Sequence, residues 1–306
     1  MSEQQVGTKK RILSIALSSI AVVVTICAIV IISYTLKNNR TPTPIDQTGI
    51  TNTETDNTTV NLPPKPQPIV PVSTATITIT GDILPHIPVM NSALDKTTGT
   101  YNFDKIFTHV NSYISVADYA VANLEVPLRG TEDGNEYTGY PRFNCPDAIA
   151  TSLKTAGFDL CLTSNNHCFD KGLKGLNRTI QVLADNGLEN IGTMPTADAP
   201  KYLVKEINGI RIGMVCYTFE TGDAYPDRPS INGLLTSVDS IGQINSFDYN
   251  QLDKFYGEME QHIAGMKEEG ADAVILYIHW GNEYQFSPTN AQKTIAQKMC
   301  DLGVDI

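Results

Sequence analysis

Cysteine, tryptophan and cationic side chains are all scarce in this sequence. The 306 residues hold six cysteines and one tryptophan, and 22 Lys/Arg stand against 33 Asp/Glu for a formal charge of -11. No C-x-x-C occurs, which removes the grounds for a zinc knuckle or a thioredoxin-type redox site. Cys27 sits in a long apolar run, leaving Cys145, Cys161, Cys168, Cys216 and Cys300. An odd number cannot all pair, and buried free thiols are the simplest reading. Cys161 and Cys168 flank a polar motif and could approach one another. The shortage of cations is uneven: six of the 22 basic and four of the 33 acidic side chains fall in residues 1–73, which leaves 16 against 29 beyond them. Such a body repels phosphate backbones, and no Lys/Arg cluster follows Arg40, so nucleic acid is not an expected partner. An anionic substrate would need a metal or a few placed cations to be held.

Charge is missing altogether from residues 12–36, a run rich in Ile, Val, Leu and Ala. As a helix it would reach roughly 37 Å, enough for a hydrocarbon core of about 30 Å. A cleaved secretory signal would have a shorter apolar region and a small-residue cleavage site, so a retained membrane anchor is expected. Lys9, Lys10 and Arg11 precede the run, whereas only Lys37 and Arg40 follow it. That asymmetry places residues 1–11 in the cytoplasm and the body outside, in a single-pass cell-membrane protein. Residues 37–73, with TPTPIDQTG and NLPPKPQPIVP, bury little apolar surface and favour extended conformations, the composition of a stalk.

From residue 74 the pattern changes to strands alternating with helices. TATITIT is an alternating β-branched run that ends at Gly81 and Asp82. Residues 103–117 carry Phe103, Ile106, Phe107, Val110, Ile114 and Ala117 at helical spacing, followed by the strand-like DYAVANLE. Helices are expected at residues 146–156, 173–186, 252–267 and 288–302, and strands at FDLCLTS and ADAVILYIHWG. YLVKEINGIRIGMVCYTF reads as two strands joined at Asn208 and Gly209. The expected fold class is therefore α/β over residues 74–306.

Polar residues collect where the strand-like runs end. Asp82 follows TITITG, Asn123 and Glu125 close DYAVANLE, Asn166 and His167 follow FDLCLTS, and His279 follows AVILYI. Sites in open α/β sheets lie outside the carboxyl ends of strands. Each residue alone could be a cap or a turn. Together, carboxylate, amide and imidazole groups at one sheet edge are what a divalent ion such as Mn, Fe, Zn or Mg recruits. His109 and His262 lie in predicted helices as surface or boundary residues, and His86 is left open. Trp280 is a packing or pocket-wall residue that could line a substrate groove.

The series GD (Gly81, Asp82), ANLEVPL from Ala122, SNNHCFDKG from Ser164 and HWGNEY from His279 resembles the capsule-synthesis CapA family, also called poly-γ-glutamate-synthesis PgsA-like proteins. The likeness runs over residues 74–306. It implies a branch of the calcineurin-like metallophosphatase superfamily, with a two-sheet sandwich, helices outside and a two-metal site at one end. Carried over, Asp82, Glu125, Asn166 and His279 are metal ligands, and His167 protonates a leaving group or stabilises the transition state. Asp170, placed with His167 in the catalytic pair, and Glu283 would fix imidazole tautomers, while Asn123 and Trp280 would support the site or substrate. Leu84 stands where many members have a histidine. DLGVDI stands where the family continues into a strand and a final H-x-H motif, so the domain is expected to be incomplete at its C-terminus. The implied function is metal-dependent hydrolysis or transfer on an anionic cell-surface polymer such as poly-γ-glutamate. The alternative is a non-catalytic scaffold working with membrane synthase or export subunits.

Overall fold

The computed structural model describes residues 73–222 and 228–306. The anchor expected at residues 12–36 and the stalk up to residue 72 lie outside them. Among the described residues no helix is long and apolar enough to cross a membrane.

Two sheets form from the alternating segments. β1 (Ile77–Ile83), β2 (Tyr119–Leu124), β3 (Leu160–Leu162) and β4 (Glu189–Ile191) pair in parallel in that order. Between them run α1 (Ile87–Ala93), α2 (Ala148–Ala156) and α3 (Gly172–Asp185). β2 is buried at every position, as a parallel strand covered on both faces must be. The second sheet begins with the hairpin of β5 (Leu203–Ile207) and β6 (Ile210–Phe219). Asn208 and Gly209 both take positive φ, the left-handed pair that a two-residue turn between twisted strands requires. A small ribbon follows, β7 (Ser230–Ile231) against β8 (Leu234–Leu235), and then β9 (Ser246–Phe247), which pairs with the end of β6. α4 (Leu252–Glu268) leads to β10 (Ala273–His279), parallel to β6, and α5 (Asn290–Leu302) succeeds it.

Three apolar cores stack these elements into layers. Tyr119, Val121, Leu160 and Leu162 meet Ile212, Met214, Ile275 and Tyr277 between the sheets. Ala120 and Ala122, on the other face of β2, pack under Ile149 and Leu153 of α2 and Leu183 of α3. Val215, Tyr217 and Val274 pack under Phe255 and Met259 of α4 and Met299 of α5. The order is helix, sheet, sheet, helix, which is the expected two-sheet sandwich. Each fully buried Leu, Ile or Phe stabilises it by about 1.5–3 kcal/mol.

Two local expectations are corrected. The helix predicted over residues 103–117 is two single turns, Asp104–Phe107 and Asn111–Ile114. Thr108, His109 and Val110 between them are poor helix formers, and Ile106 and Val110 remain exposed, so packing does not rescue the break. The strand expected to stop before Asp82 instead continues to Ile83 across a bulge between Thr80 and Asp82. The five cysteines within the described residues are all free, four of them buried, and Cys161 and Cys168 are not bonded. Burial pushes both thiols up to about 12.

Candidate metal centre

The bulge in β1 decides where Asp82 points. Ile77 pairs with Tyr119 on the face between the sheets, and the half-exposed Ile79, paired with Val121, continues that alternation. Strict alternation would put Asp82 on the opposite face. The extra residue, Gly81, shifts the register so that Asp82 pairs with Asn123 and Ile83 with Leu124. Ile83 thereby joins the helix-side core and Asp82 joins Asn123 between the sheets. Glu125 follows two residues later on the same face of the chain. Across the sandwich, Ile275 and Tyr277 fix the inward face of β10, and His279 continues that alternation at its carboxyl end.

The three groups consequently meet. One ligand atom each from Asp82, Glu125 and His279 lies within 4.8 Å of the others. His279 Nε2 is 3.5 Å from Glu125 Oε1, and its Nδ1 is 3.9 Å from Asp82 Oδ1. Asn123 Nδ2 donates to Asp82 Oδ1 at 2.7 Å and stands 3.4 Å from His279 Nδ1, tying the two sheets together. Burial pushes Glu125 up to about 8, with the nearby Asp82 charge adding to the effect. Burial also lowers His279 against the opposing pull of Asp82, which favours the neutral imidazole that metals bind.

Two buried oxygens beside the same cleft, Glu125 Oε2 and Asn166 Oδ1, have no hydrogen-bond partner among the described residues. Unpartnered buried acceptors are costly, and a cation in the cleft is one kind of partner that would relieve such a cost. The donor set of two carboxylates, an amide oxygen and an imidazole fits a hard or borderline divalent ion. The cleft has a volume of about 450 Å³, and among the described residues no Lys or Arg lines it.

His167 forms the second part of the site. Its Nδ1 is 2.7 Å from Asp170 Oδ2, which also accepts the Phe143 backbone N–H at 2.7 Å. The acceptor carboxylate orients Nδ1–H inward and leaves Nε2 as the ring nitrogen for the cleft. Phe143 packs edge-on against His167 at 4.7 Å and against His86 at 4.9 Å.

The predicted residues are thus divided by position. Asp82, Glu125, Asn166, His167, His279, Trp280 and Glu283 line the cleft, as do Leu84 and His86. Asn123 and Asp170 hold these residues from behind. Glu283 is exposed at the cleft, and among the described residues no hydrogen bond links it to either imidazole. Asn165 is wholly buried: it donates to Asn123 Oδ1 at 3.1 Å and to the Leu124 carbonyl at 2.9 Å, and accepts from the His167 N–H at 3.2 Å. It bolts the His167 loop to the end of β2. Asn232, on the β7–β8 turn, donates to Asp170 Oδ1 at 2.8 Å. Sequence reading overlooked it, although Asn232 and Gly233, between Ile231 and Leu234, repeat the turn signal seen at Asn208 and Gly209.

Residues 76–306 match the family described as bacterial capsule synthesis protein PGA_cap. The chain belongs to this bacterial capsule synthesis family. The capsule biosynthesis protein CapA of Bacillus anthracis is 27% identical over 235 residues, covering 76% of this chain and 52% of that protein. The PGA biosynthesis protein CapA of Bacillus subtilis is 25% identical over 228 residues, covering 74% and 54% respectively. This member of the family therefore spans about half the length of these relatives. Among solved structures, the sulfate thiohydrolase SoxB of Thermus thermophilus, in complex with glycerol, aligns with a TM-score of 0.33 at 14% identity, over 58% of this chain and 29% of that one.

Proposed function

We propose that the chain is a metal-dependent hydrolase or transferase of the cell surface, tethered by residues 12–36 and acting on an anionic polymer such as poly-γ-glutamate. The observation that carries this reading is the meeting of Asp82, Glu125 and His279 within 4.8 Å, in a cleft with two buried oxygens that have no hydrogen-bond partner among the described residues. Asp82, Glu125, Asn166 and His279 would hold the ion. Lewis-acid polarisation of a carbonyl or phosphoryl group, and activation of water at neutral pH, are what a bound divalent ion supplies. In its imidazolium form His167 would deliver the Nε2 proton to the leaving group and return to the neutral state in which Asp170 holds the Nδ1–H. The acidic cleft repels an anionic substrate, so substrate and metal binding are coupled: the ion offsets the charge of Asp82, Glu125 and Glu283.

The test uses the full chain loaded with Mn²⁺ and incubated with poly-γ-glutamate, with chain length read by size-exclusion chromatography. A phosphodiester, bis(4-nitrophenyl) phosphate, serves as a parallel probe. Wild type should shorten or transfer the polymer or cleave the probe, and the Asn166→Ala, His167→Ala double variant should lose at least about 100-fold of that rate. Full turnover by the double variant would overturn the assignment. No turnover by the loaded wild type, with polymer production in cells unaffected by the double variant, would instead favour the scaffold role alongside membrane synthase or export subunits.

A further inference from the structure

The β7–β8 ribbon reaches the back of the His167 and Asp170 pair. Its Ile231 is fully buried against Cys168 and Phe169, the residues between them, and against Leu176 and Ile244. The ribbon is also tied at its base: Thr221 N–H donates to the Ser230 carbonyl at 2.9 Å, and Gly233 N–H donates to Thr221 Oγ1 at 2.8 Å. At the tip, Asn232 has φ 51° and Gly233 φ 68°. This left-handed pair turns the Asn232 amide onto the catalytic pair. Its Nδ2 lies 2.8 Å from Asp170 Oδ1, 3.3 Å from the Pro141 carbonyl and 3.2 Å from His167 Nδ1.

Proton counting assigns these contacts. The Asn232 amide has two hydrogens, and the Asp170 and Pro141 oxygens accept both. His167 Nδ1 then keeps its own hydrogen for Asp170 Oδ2, since a third donation from Asn232 is not available. Asp170 receives donors on both oxygens: Asn232 on one, His167 and Phe143 on the other. Its carboxylate cannot rotate without breaking one of them.

We propose that Asn232 is a positioning residue that locks Asp170, and through it the Nδ1–H tautomer and orientation of His167, from a ribbon more than sixty residues away in sequence. The inference rests on the acid-base role given above to His167, and it adds a residue outside the motifs of the resemblance. Partners that orient an imidazole from behind are worth about 10- to 100-fold in activity at metal sites.

The test is Asn232→Gly in the full chain. Glycine accepts the left-handed backbone at this position, so the substitution removes the amide and spares the turn. Two readouts are taken. In ¹⁵N-histidine NMR spectra, with His167 signals assigned by their loss in His167→Gln, wild type should show the Nδ1–H tautomer with a downfield proton, and N232G should lose that proton signal. With Mn²⁺ and bis(4-nitrophenyl) phosphate, kcat should fall about 10- to 100-fold while KM and metal content stay constant. An unchanged His167 spectrum in N232G, or unchanged kcat in an active protein, overturns the proposal. If the loaded wild type turns over no probe, the hydrolase reading fails and the NMR comparison alone decides the role of Asn232.

Discussion

Glu125 has the least comfortable surroundings of any side chain in the site. It is buried, one of its oxygens has no hydrogen-bond partner among the described residues, and Asp82 repels its charge. Its folded-state value of about 8 lies above the ordinary 4.5, so between these pH values the folded protein holds a proton that the unfolded chain has released. Stability contributed by that proton is complete at low pH and declines as pH rises through the window. Glu125→Gln should therefore stabilise the metal-free protein by on the order of 1 kcal/mol at pH 8, measured by urea denaturation, and flatten its dependence on pH. The same substitution should cut Mn²⁺ binding sharply, measured by elemental analysis after dialysis. Because an ion must displace this proton, wild-type affinity should climb from pH 5 to 8, with proton release detectable by calorimetry in two buffers. Asp82, Glu125, Asn166 and His279 were legible as candidates because polar groups at strand ends are conspicuous. The bolting role of Asn165 was not, since its two partners on β2 come from more than forty residues away.

At the scale of elements, long periodic segments were easy to read and short ones were not. β6, β10, α4 and α5 lie within one or two residues of expectation, because each has a full apolar face to bury. β4, β7, β8 and β9 have two or three residues apiece, too few for any period to emerge. α5 begins with a capping box in which Thr289 accepts from the Gln292 N–H and Gln292 accepts from the Thr289 N–H. Thr289→Ala should cost about 1 kcal/mol in a denaturation experiment. In α4, His262 was expected to be a surface or boundary residue, and it contacts the buried Tyr217 hydroxyl through Nδ1 at 3.2 Å. Burial depresses His262 to about 4. The unfolded chain then binds the extra proton between about 4 and 6.5, so stability is present above that window and is lost as pH falls through it. Acid titration of stability should show a loss on the order of 1–2 kcal/mol from this group, allowing for its partial exposure, and His262→Gln should remove that component.

For the whole molecule, the site belongs to the sandwich and to neither sheet alone. Asp82, Asn123 and Glu125 come from one sheet and its margin, and His279 comes from the other. An ion that grips both should resist their separation and stabilise the fold by about 2.7 kcal/mol at a hundred times its Kd. Mn²⁺ should accordingly raise the thermal midpoint of the full chain, and His279→Ala should abolish the rise, both measurable by scanning calorimetry. A midpoint insensitive to Mn²⁺, Zn²⁺ and Mg²⁺ would count against a metal bridge between the sheets.

The amino-acid sequence by itself determined the α/β alternation, the hairpin at Asn208 and Gly209, and the set of polar residues at strand ends, because these depend on local periodicity and turn chemistry. Tertiary structure alone decided which of those residues share a site. The one-residue bulge at Gly81 turns Asp82 inward, sheet packing brings His279 to it, and the β7–β8 ribbon carries Asn232 behind His167. Each is a long-range contact, set by how apolar faces stack in space, and no short window of sequence contains that information.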